Sequence, residues 1–156
     1  MNPYVYREDF GDGELNAWAS YPPCQDTAYD PYIYPGRIRP NDDKPCLVAV
    51  KYPPWNEDQL IGAVKLLDMI LDFDSAIRFR YYIKTVDYCP SLTVRLPIKT
   101  GECLTCTLKE PPVNRWNGFS IVWKDLTAQN TCLESLEAVE ITAVAVEVKV
   151  SKADPD

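Results

Sequence analysis

Histidine is absent from this chain of 156 residues. Without imidazole, the protein has no Ser-His-Asp or Cys-His catalysis, no histidine-ligated zinc and no histidine pH switch. No apolar run reaches 18 residues, and the N-terminus lacks the basic and apolar segments of a secretory signal, so we expect neither a membrane-spanning helix nor a signal peptide in this chain. Glycine is scarce (6), while proline (14) and tyrosine (10) are abundant, which indicates strands joined by stiff loops.

Positive charge is also in deficit, with 16 basic against 23 acidic residues and a net charge of −7. This balance argues against binding to nucleic acids and insertion into membranes, since both favour a basic or apolar footprint. The hydrophobic fraction of 46% and the charged fraction of 25% are typical of a globular protein. The length suits one domain, so we expect a single domain over residues 1–156.

The six cysteines leave two interpretations open. They could form three disulfides in one of 15 connectivities, or remain as mostly buried thiols, which is the interpretation we favour. Cys103 and Cys106 form a C-x-x-C motif, but no second pair completes a zinc site. The segment 102–109 has the pattern of a strand, and an odd separation then places the two sulfurs on opposite faces.

The first third of the chain differs in composition from the rest. Residues 1–56 hold seven of the ten tyrosines and nine of the fourteen prolines, which predicts rigid Pro/Tyr-rich loops in 19–56, including the stretch 30–36. Within them, 46–52 has the pattern of a short buried strand. Residues 60–71 are ambiguous: their polar spacing fits an amphipathic helix capped by Asn56, and a buried strand is the alternative.

From residue 76 onward the hydrophobic period is two. It predicts strands at 76–86, 91–99 and 102–109, an alternation through Phe119, Ile121 and Trp123, and a last strand at 138–150. In that last run the apolar phase moves from odd to even positions, which indicates a bulge or burial on both faces. Short strands separated by turn residues predict an all-β protein, an antiparallel β-sandwich or a barrel.

Basic residues are concentrated in one segment of this otherwise acidic chain. Residues 76–99 hold five basic groups against one acid, for a local net charge of +4. If these two strands are hairpin neighbours, their polar faces form one basic surface, and its candidate ligand residues are Arg78, Arg80, Tyr82, Lys84 and Arg95. Guanidinium groups suit carboxylates and sulfates, so we expect an anionic glycan such as a uronate polymer. A solvated outer strand face is the alternative.

Aromatic rings in the loops could stack on sugar faces, because rings offer large contact areas at low entropy cost. The loop aromatics are Trp18, Tyr21, Tyr29, Tyr32, Tyr34, Tyr52, Trp55 and Trp116, and the binding candidates chosen from them are Tyr32, Tyr34 and Trp55. Rings that only cover the rim of the core are the alternative. Acidic residues near the start, including Glu8 and Asp9, could hold a structural Ca²⁺, although their spacing matches no EF-hand. No phosphate loop, nucleophile elbow or metal motif is present.

Three blocks carry a family resemblance: DFGDGELNAWASYPPCQDTAYDP at 9–31, DSAIRFRYYIK at 74–84 and SKADPD at 151–156. They resemble the N-terminal carbohydrate-binding-like β-sandwich of heparinase II/III-like and alginate-lyase-like polysaccharide-degrading proteins. The resemblance implies a jelly-roll, galactose-binding-like sandwich in which 61–71 is a strand. It also implies a structural Ca²⁺ near the first strand, at Glu8 or Asp9, and an accessory role to a lyase domain that this chain lacks.

Two departures from the family open a second hypothesis. Cys24 lies inside the first block, and the chain stops at the SKADPD block where the family continues into a further strand. A missing strand exposes a sheet edge, which favours self-association through that edge. The principal expectation is a secreted or cell-surface, non-catalytic module that binds polysaccharide. The alternatives are a fibre subunit assembled by strand exchange, with the Tyr4/Tyr6 arm as donor, and a lyase that uses Tyr and Arg.

Overall fold

The computed structural model describes residues 6–21, 32–37, 45–50, 59–84 and 88–152, and these form nine strands and one α-helix. The strands are β1 (Ala19–Ser20), β2 (Tyr32–Gly36), β3 (Cys46–Val50), β4 (Gln59–Asp72), β5 (Ala76–Tyr82), β6 (Tyr88–Pro97), β7 (Cys103–Lys109), β8 (Trp116–Val122) and β9 (Ala138–Lys152). Helix α1 (Trp123–Gln129) and a 3-10 turn (Thr131–Leu133) separate β8 from β9. In the described part of the chain, no helix is long and apolar enough to cross a membrane.

The strands form three antiparallel units. A five-stranded sheet has the order β1-β4-β9-β6-β7, and two ribbons pair β2 with β3 and β5 with β8. The last strand, β9, lies between β4 and β6, so strands far apart in the sequence become neighbours. This order requires long-range pairing and is not that of a simple meander.

The hydrophobic core lies between the five-stranded sheet and the β5–β8 ribbon, with α1 closing one end. The five-stranded sheet contributes Leu92, Val94, Leu96, Leu104 and Ile141, all at most 1% exposed. Ile77, Phe79 and Phe119 of the ribbon pack against this layer. Two antiparallel layers facing each other across a core define a β-sandwich, so the predicted fold class is confirmed.

Residues 60–71 form part of strand β4, as the resemblance implied, and the helical alternative is wrong. β4 pairs with β9 from Gln59↔Val150 to Asp72↔Ala138, with a register shift between Leu66 and Met69. Backbone pairing over this length outweighs the helical spacing of the polar residues. Gly62 is required here, because a Cβ at this position would overlap the carbonyl oxygen of Val146.

The phase change predicted in the last strand is present. Val139 and Ile141 face the main core, and from Val144 onward the even-numbered residues, Val146 and Val148 among them, pack against it. The odd-numbered Ala143 and Ala145 are buried on the other face of the sheet. β9 therefore has both a register irregularity and two covered faces.

Three sequence predictions are corrected by the structure. Tyr32–Gly36 is strand β2 rather than a loop, because a two-stranded ribbon has free edges that accommodate Pro35. The alternation does not continue through Trp123, because this residue is the first of helix α1. The N-cap residue Val122 donates its N–H to Asp125 Oδ2 at 2.9 Å. Strands β5 and β6 are not hairpin neighbours, since they lie in different sheets.

Candidate functional site

The β5–β8 ribbon presents its even-numbered residues to solvent, because the odd-numbered Ile77, Phe79, Phe119 and Ile121 fill the core. Across the ribbon, the outward residues pair in four rungs, of which Ala76↔Val122 is the first and the other three form the site. These three rungs are Arg78↔Ser120, Arg80↔Gly118 and Tyr82↔Trp116. We call these six residues the basic face, and it is the candidate functional site.

Aromatic rings form one end of the basic face. The ring centroids of Tyr82 and Trp116 lie 5.8 Å apart at an interplanar angle of 75°, an edge-to-face pair. The Arg80 guanidinium carbon lies 5.7 Å from the Trp116 centroid, within range of a cation–π interaction. Both rings are half-buried, so this end is held by contacts while part of each ring remains open to solvent.

Gly118 leaves a gap beside these rings. A Cβ built at Gly118 would meet no heavy atom within 4 Å, so the space above this strand position is open. A shallow depression lies here, lined by Arg78, Phe79, Arg80, Gly118, Phe119 and Ser120. A ligand placed on Gly118 would contact the backbone below it, the two arginines at its side and Trp116 at its end.

Of the residues predicted as one basic surface, the ribbon brings together Arg78, Arg80 and Tyr82. Lys84 is exposed and follows β5 by two residues. Arg95 is not part of this surface, because it lies on β6 of the five-stranded sheet, opposite Thr105 and Ala145. The predicted five-residue surface was therefore wrong for Arg95, and the cause is the error in strand pairing.

Arg95 instead forms an ion pair on the side of its sheet that faces away from the β5–β8 ribbon. Its Nη2 donates to Glu147 Oε1 at 3.2 Å, and the Glu147 side chain is only 6% exposed. The hydrogen bond that Arg95 donates to Glu147 raises the pKa of the Arg95 guanidinium above its ordinary value. The Nε of Arg95 is buried and has no hydrogen-bond partner among the described residues. This arrangement indicates a structural role for the pair.

Strand pairing does not bring β2, and with it Tyr34, to the basic face. Tyr34 lies on β2 and is exposed, with its ring against Gly36. Tyr32 begins β2, but its side chain is outside what the structure describes, and Trp55 lies outside the described residues altogether. The sugar-stacking role of these three residues stays a prediction.

The carboxylates near the start of the chain accept hydrogen bonds from groups of the same segment. Glu8 Oε2 accepts from the Phe10 N–H and the Asn16 side-chain amide, each at 3.2 Å, and Asp9 Oδ1 accepts the Gly11 N–H at 2.9 Å. The Glu14 N–H and the Asn16 amide lower the pKa of Asp12. Within the described ranges, no group of three or more metal-type side chains comes together. Calcium at Glu8 and Asp9 stays a prediction.

Sequence reasoning missed Gly118, and it named Trp116 among the loop aromatics without choosing it as a binding residue. Both belong to the segment WNGFSIV, whose alternation was recognised only from Phe119 onward. A glycine is unfavourable inside a strand and therefore hides the period of two. The position of Trp116 beside Tyr82 depends on the pairing of β5 with β8, which local sequence does not specify.

Cys46, Cys103, Cys106 and Cys132 are free thiols, so the alternative of three disulfides is wrong. Of these four only Cys106 is buried, so the expectation of mostly buried thiols is wrong for them as well. Cys103 is exposed and Cys106 is buried, as the odd spacing on one strand predicted. Burial raises the pKa of the Cys106 thiol, which makes it a poor nucleophile.

No family model and no curated protein matches the chain. Among solved structures, the chain is similar to the C-terminal family 22 carbohydrate-binding module of a Clostridium thermocellum protein, at 10% identity and a TM-score of 0.42. The alignment covers 98% of this chain and 96% of that one.

Proposed function

We propose that this protein is a non-catalytic module that binds polysaccharide through the basic face. The observation that carries the proposal is the arrangement on the β5–β8 ribbon, where the Tyr82–Trp116 pair borders an open depression flanked by Arg78 and Arg80. Sugars have apolar C–H faces and equatorial hydroxyls, which suit rings and guanidinium donors respectively. A shallow open surface fits a polymer chain that passes across it.

The arginines favour an anionic sugar. Each guanidinium can donate two parallel hydrogen bonds to a carboxylate or sulfate, and such charge-assisted bonds are stronger than neutral ones. Along a strand, residues two apart are separated by about 6.6 Å, so Arg78 and Arg80 form a short row of positive charge. A uronate-rich polysaccharide is therefore the proposed ligand class.

An anionic polysaccharide ligand is consistent with a role outside the cell, as an accessory to a polysaccharide lyase. This part of the proposal is supported by the family resemblance of the three sequence blocks. A chain that itself acted as a lyase would produce unsaturated uronates from alginate or pectin. We expect a flat ultraviolet absorbance trace with both substrates. A rising trace would show that the chain is a lyase and not a non-catalytic binding module.

Affinity electrophoresis in gels containing alginate, pectin or a neutral glucan tests the ligand class. We expect retardation in a uronate gel and a loss of affinity of at least about tenfold in Arg78→Ala/Arg80→Ala, because two charge-assisted contacts are removed. The matched control is Lys109→Ala/Lys124→Ala, which removes two exposed positive charges elsewhere. Retardation in no gel, or equal loss in both variants, would contradict the proposal.

Filling the depression gives a second test that leaves the charges intact. A side chain at Gly118 meets open space, and glycine weakens a strand interior by roughly 0.5–1 kcal/mol relative to alanine, so Gly118→Val should fold with an unchanged or higher Tm. The valine would occupy the proposed ligand position and should abolish retardation. Wild-type affinity in this variant would exclude the depression as the binding site.

A further inference from the structure

An apolar strip lies on β4 and the turn after it. Leu66 is 82% exposed, and Ile70 and Phe73 are each 66% exposed, the highest values among the large hydrophobic residues described. Leu66 and Ile70 point away from the core, while their neighbours Met69 and Leu71 pack into it. Large apolar side chains grouped in this way mark an interaction surface more often than single exposed ones do.

The same strip also carries carboxylates between its apolar residues. Asp68 and Asp74 are exposed and Asp72 is partly buried, and residues 66–76 contain no lysine or arginine. Asp72 stabilises the turn after β4, because its Oδ1 accepts hydrogen bonds from the Asp74 N–H at 2.9 Å and from the Ser75 hydroxyl at 3.1 Å. We call the strip the acidic rim, and its residues are Leu66, Asp68, Ile70, Asp72, Phe73 and Asp74.

The acidic rim lies along a sheet edge that the described residues cover only in part. β1 pairs with β4 at Ala63 and Val64, and no described strand pairs with 65–72 on that side. The opposite edge of the sheet is closed, because side chains of Gln129 and Asn130 accept the N–H groups of Thr107 and Thr105 at 2.9 Å. An edge that the described residues leave open, with apolar side chains along it, favours pairing with another chain.

Charge decides between the two ways in which copies of the chain could use this rim. Two rims facing each other would oppose three carboxylates with three, which is unfavourable. The basic face of the next strand carries Arg78 and Arg80 beside the depression over Gly118, which can receive an apolar side chain. The complementary arrangement is therefore the rim of one copy against the basic face of another.

We propose that copies of this chain associate head to tail, with the acidic rim of one copy docked on the basic face of the next. Such a contact is heterologous and does not close as a two-fold dimer, and unless its rotation closes a ring it leaves one rim and one face free at the two ends and continues into open chains. The proposal uses the charge of the basic face and does not depend on whether that face binds carbohydrate.

Sedimentation velocity over a range of concentrations, at low salt, tests the association. We expect the average mass to rise continuously with concentration and to fall on addition of salt, because the contact is partly electrostatic. A monomer at all concentrations, or a discrete dimer, would overturn the proposal. Phe73→Ser, which removes an exposed ring from a turn, should lower the average mass without changing the Tm.

Charge reversal identifies the two surfaces. Asp68→Lys/Asp74→Lys gives two basic surfaces and Arg78→Glu/Arg80→Glu gives two acidic ones, so each variant alone should associate at least about tenfold more weakly. An equimolar mixture of the two variants should regain the wild-type mass, because each rim then meets a face of opposite charge. Failure of the mixture to associate overturns the assignment. The rim variant should keep its glycan affinity, so failure of this proposal is distinguishable from failure of the proposed function.

Discussion

At the scale of single residues, Arg95 was predicted to bind ligand but forms a structural ion pair with Glu147 instead. Its positive charge faces a carboxylate that is 94% removed from solvent, at a distance of 3.2 Å. A buried carboxylate without a partner is costly, whereas the partly exposed guanidinium can turn to water. The two members of the pair therefore differ in what their removal leaves behind.

Arg95→Leu should destabilise the fold more than Glu147→Gln. The first change leaves Glu147 buried without its cation, at a cost on the order of 2–4 kcal/mol, while the second leaves a neutral amide beside a half-exposed arginine. Urea denaturation of the two variants measures the difference in the free energy of unfolding. Equal losses, or a larger loss in Glu147→Gln, would contradict the assignment. Neither variant should change retardation in a uronate gel.

Cys132 provides a residue-scale prediction about reactivity. Its side chain is hydrogen-bonded to Glu102, and this contact raises the pKa of the Cys132 thiol. A raised pKa means less thiolate at a given pH, so alkylation at pH 8 should be slow. In Glu102→Gln the pKa should fall and alkylation of Cys132 should accelerate. Mass spectrometry of the Cys132 peptide reads out the rate, and an unchanged rate would exclude the influence of Glu102.

At the scale of elements, β7 is an edge strand closed by side chains instead of another strand. Asn130 accepts the Thr105 N–H and donates to the carbonyl oxygens of Thr105 and Leu126, at 2.8–2.9 Å. Asn130 is itself buried, so these bonds are protected from water. The segment after α1 thus ties the helix to the sheet and protects this edge from pairing.

Asn130→Ala should open this edge. The variant loses three hydrogen bonds in a buried position, and at about 1 kcal/mol each we expect a loss of roughly 2–4 kcal/mol in the free energy of unfolding. The Thr105 amide should exchange its hydrogen faster with solvent. Gln129→Ala, in the exposed neighbouring residue, is the matched control and should cost less than about 1 kcal/mol. A protected Thr105 amide in Asn130→Ala would show that the edge is closed by other means.

Local sequence predicted individual strands better than it predicted their partners. The period of two located β6, β7 and β9, because alternate residues of a half-buried strand must be apolar. It could not show that β5 pairs with β8, more than 30 residues away, and for this reason Arg95 was placed on the wrong surface. Helix α1, with seven residues, is too short to show a helical period, and Trp123 happens to continue the strand alternation.

At the scale of the whole molecule, the sandwich separates opposite charges onto consecutive strands. β4 and the turn after it carry the acidic rim, and β5 carries the arginines of the basic face. Sequence reasoning identified the arginines and Tyr82 but not the rim, since Leu66 and Ile70 were expected to be buried with the rest of 60–71. Their side chains lie on the face of β4 that points away from the core, beyond the two positions at which β1 pairs with it. The basic face attracts anionic ligands, and the acidic remainder of the surface repels them.

Binding of anionic glycan to the outer face of the β5–β8 ribbon can be measured from amide and indole chemical shifts. Titration of isotope-labelled protein with oligouronates should move the Gly118 and Arg80 amides and the Trp116 indole N–H. The Thr93 amide, on β6 of the other sheet, should stay in place. Shifts confined to the five-stranded sheet, or no shifts at millimolar ligand, would show that the ribbon does not bind anionic glycan.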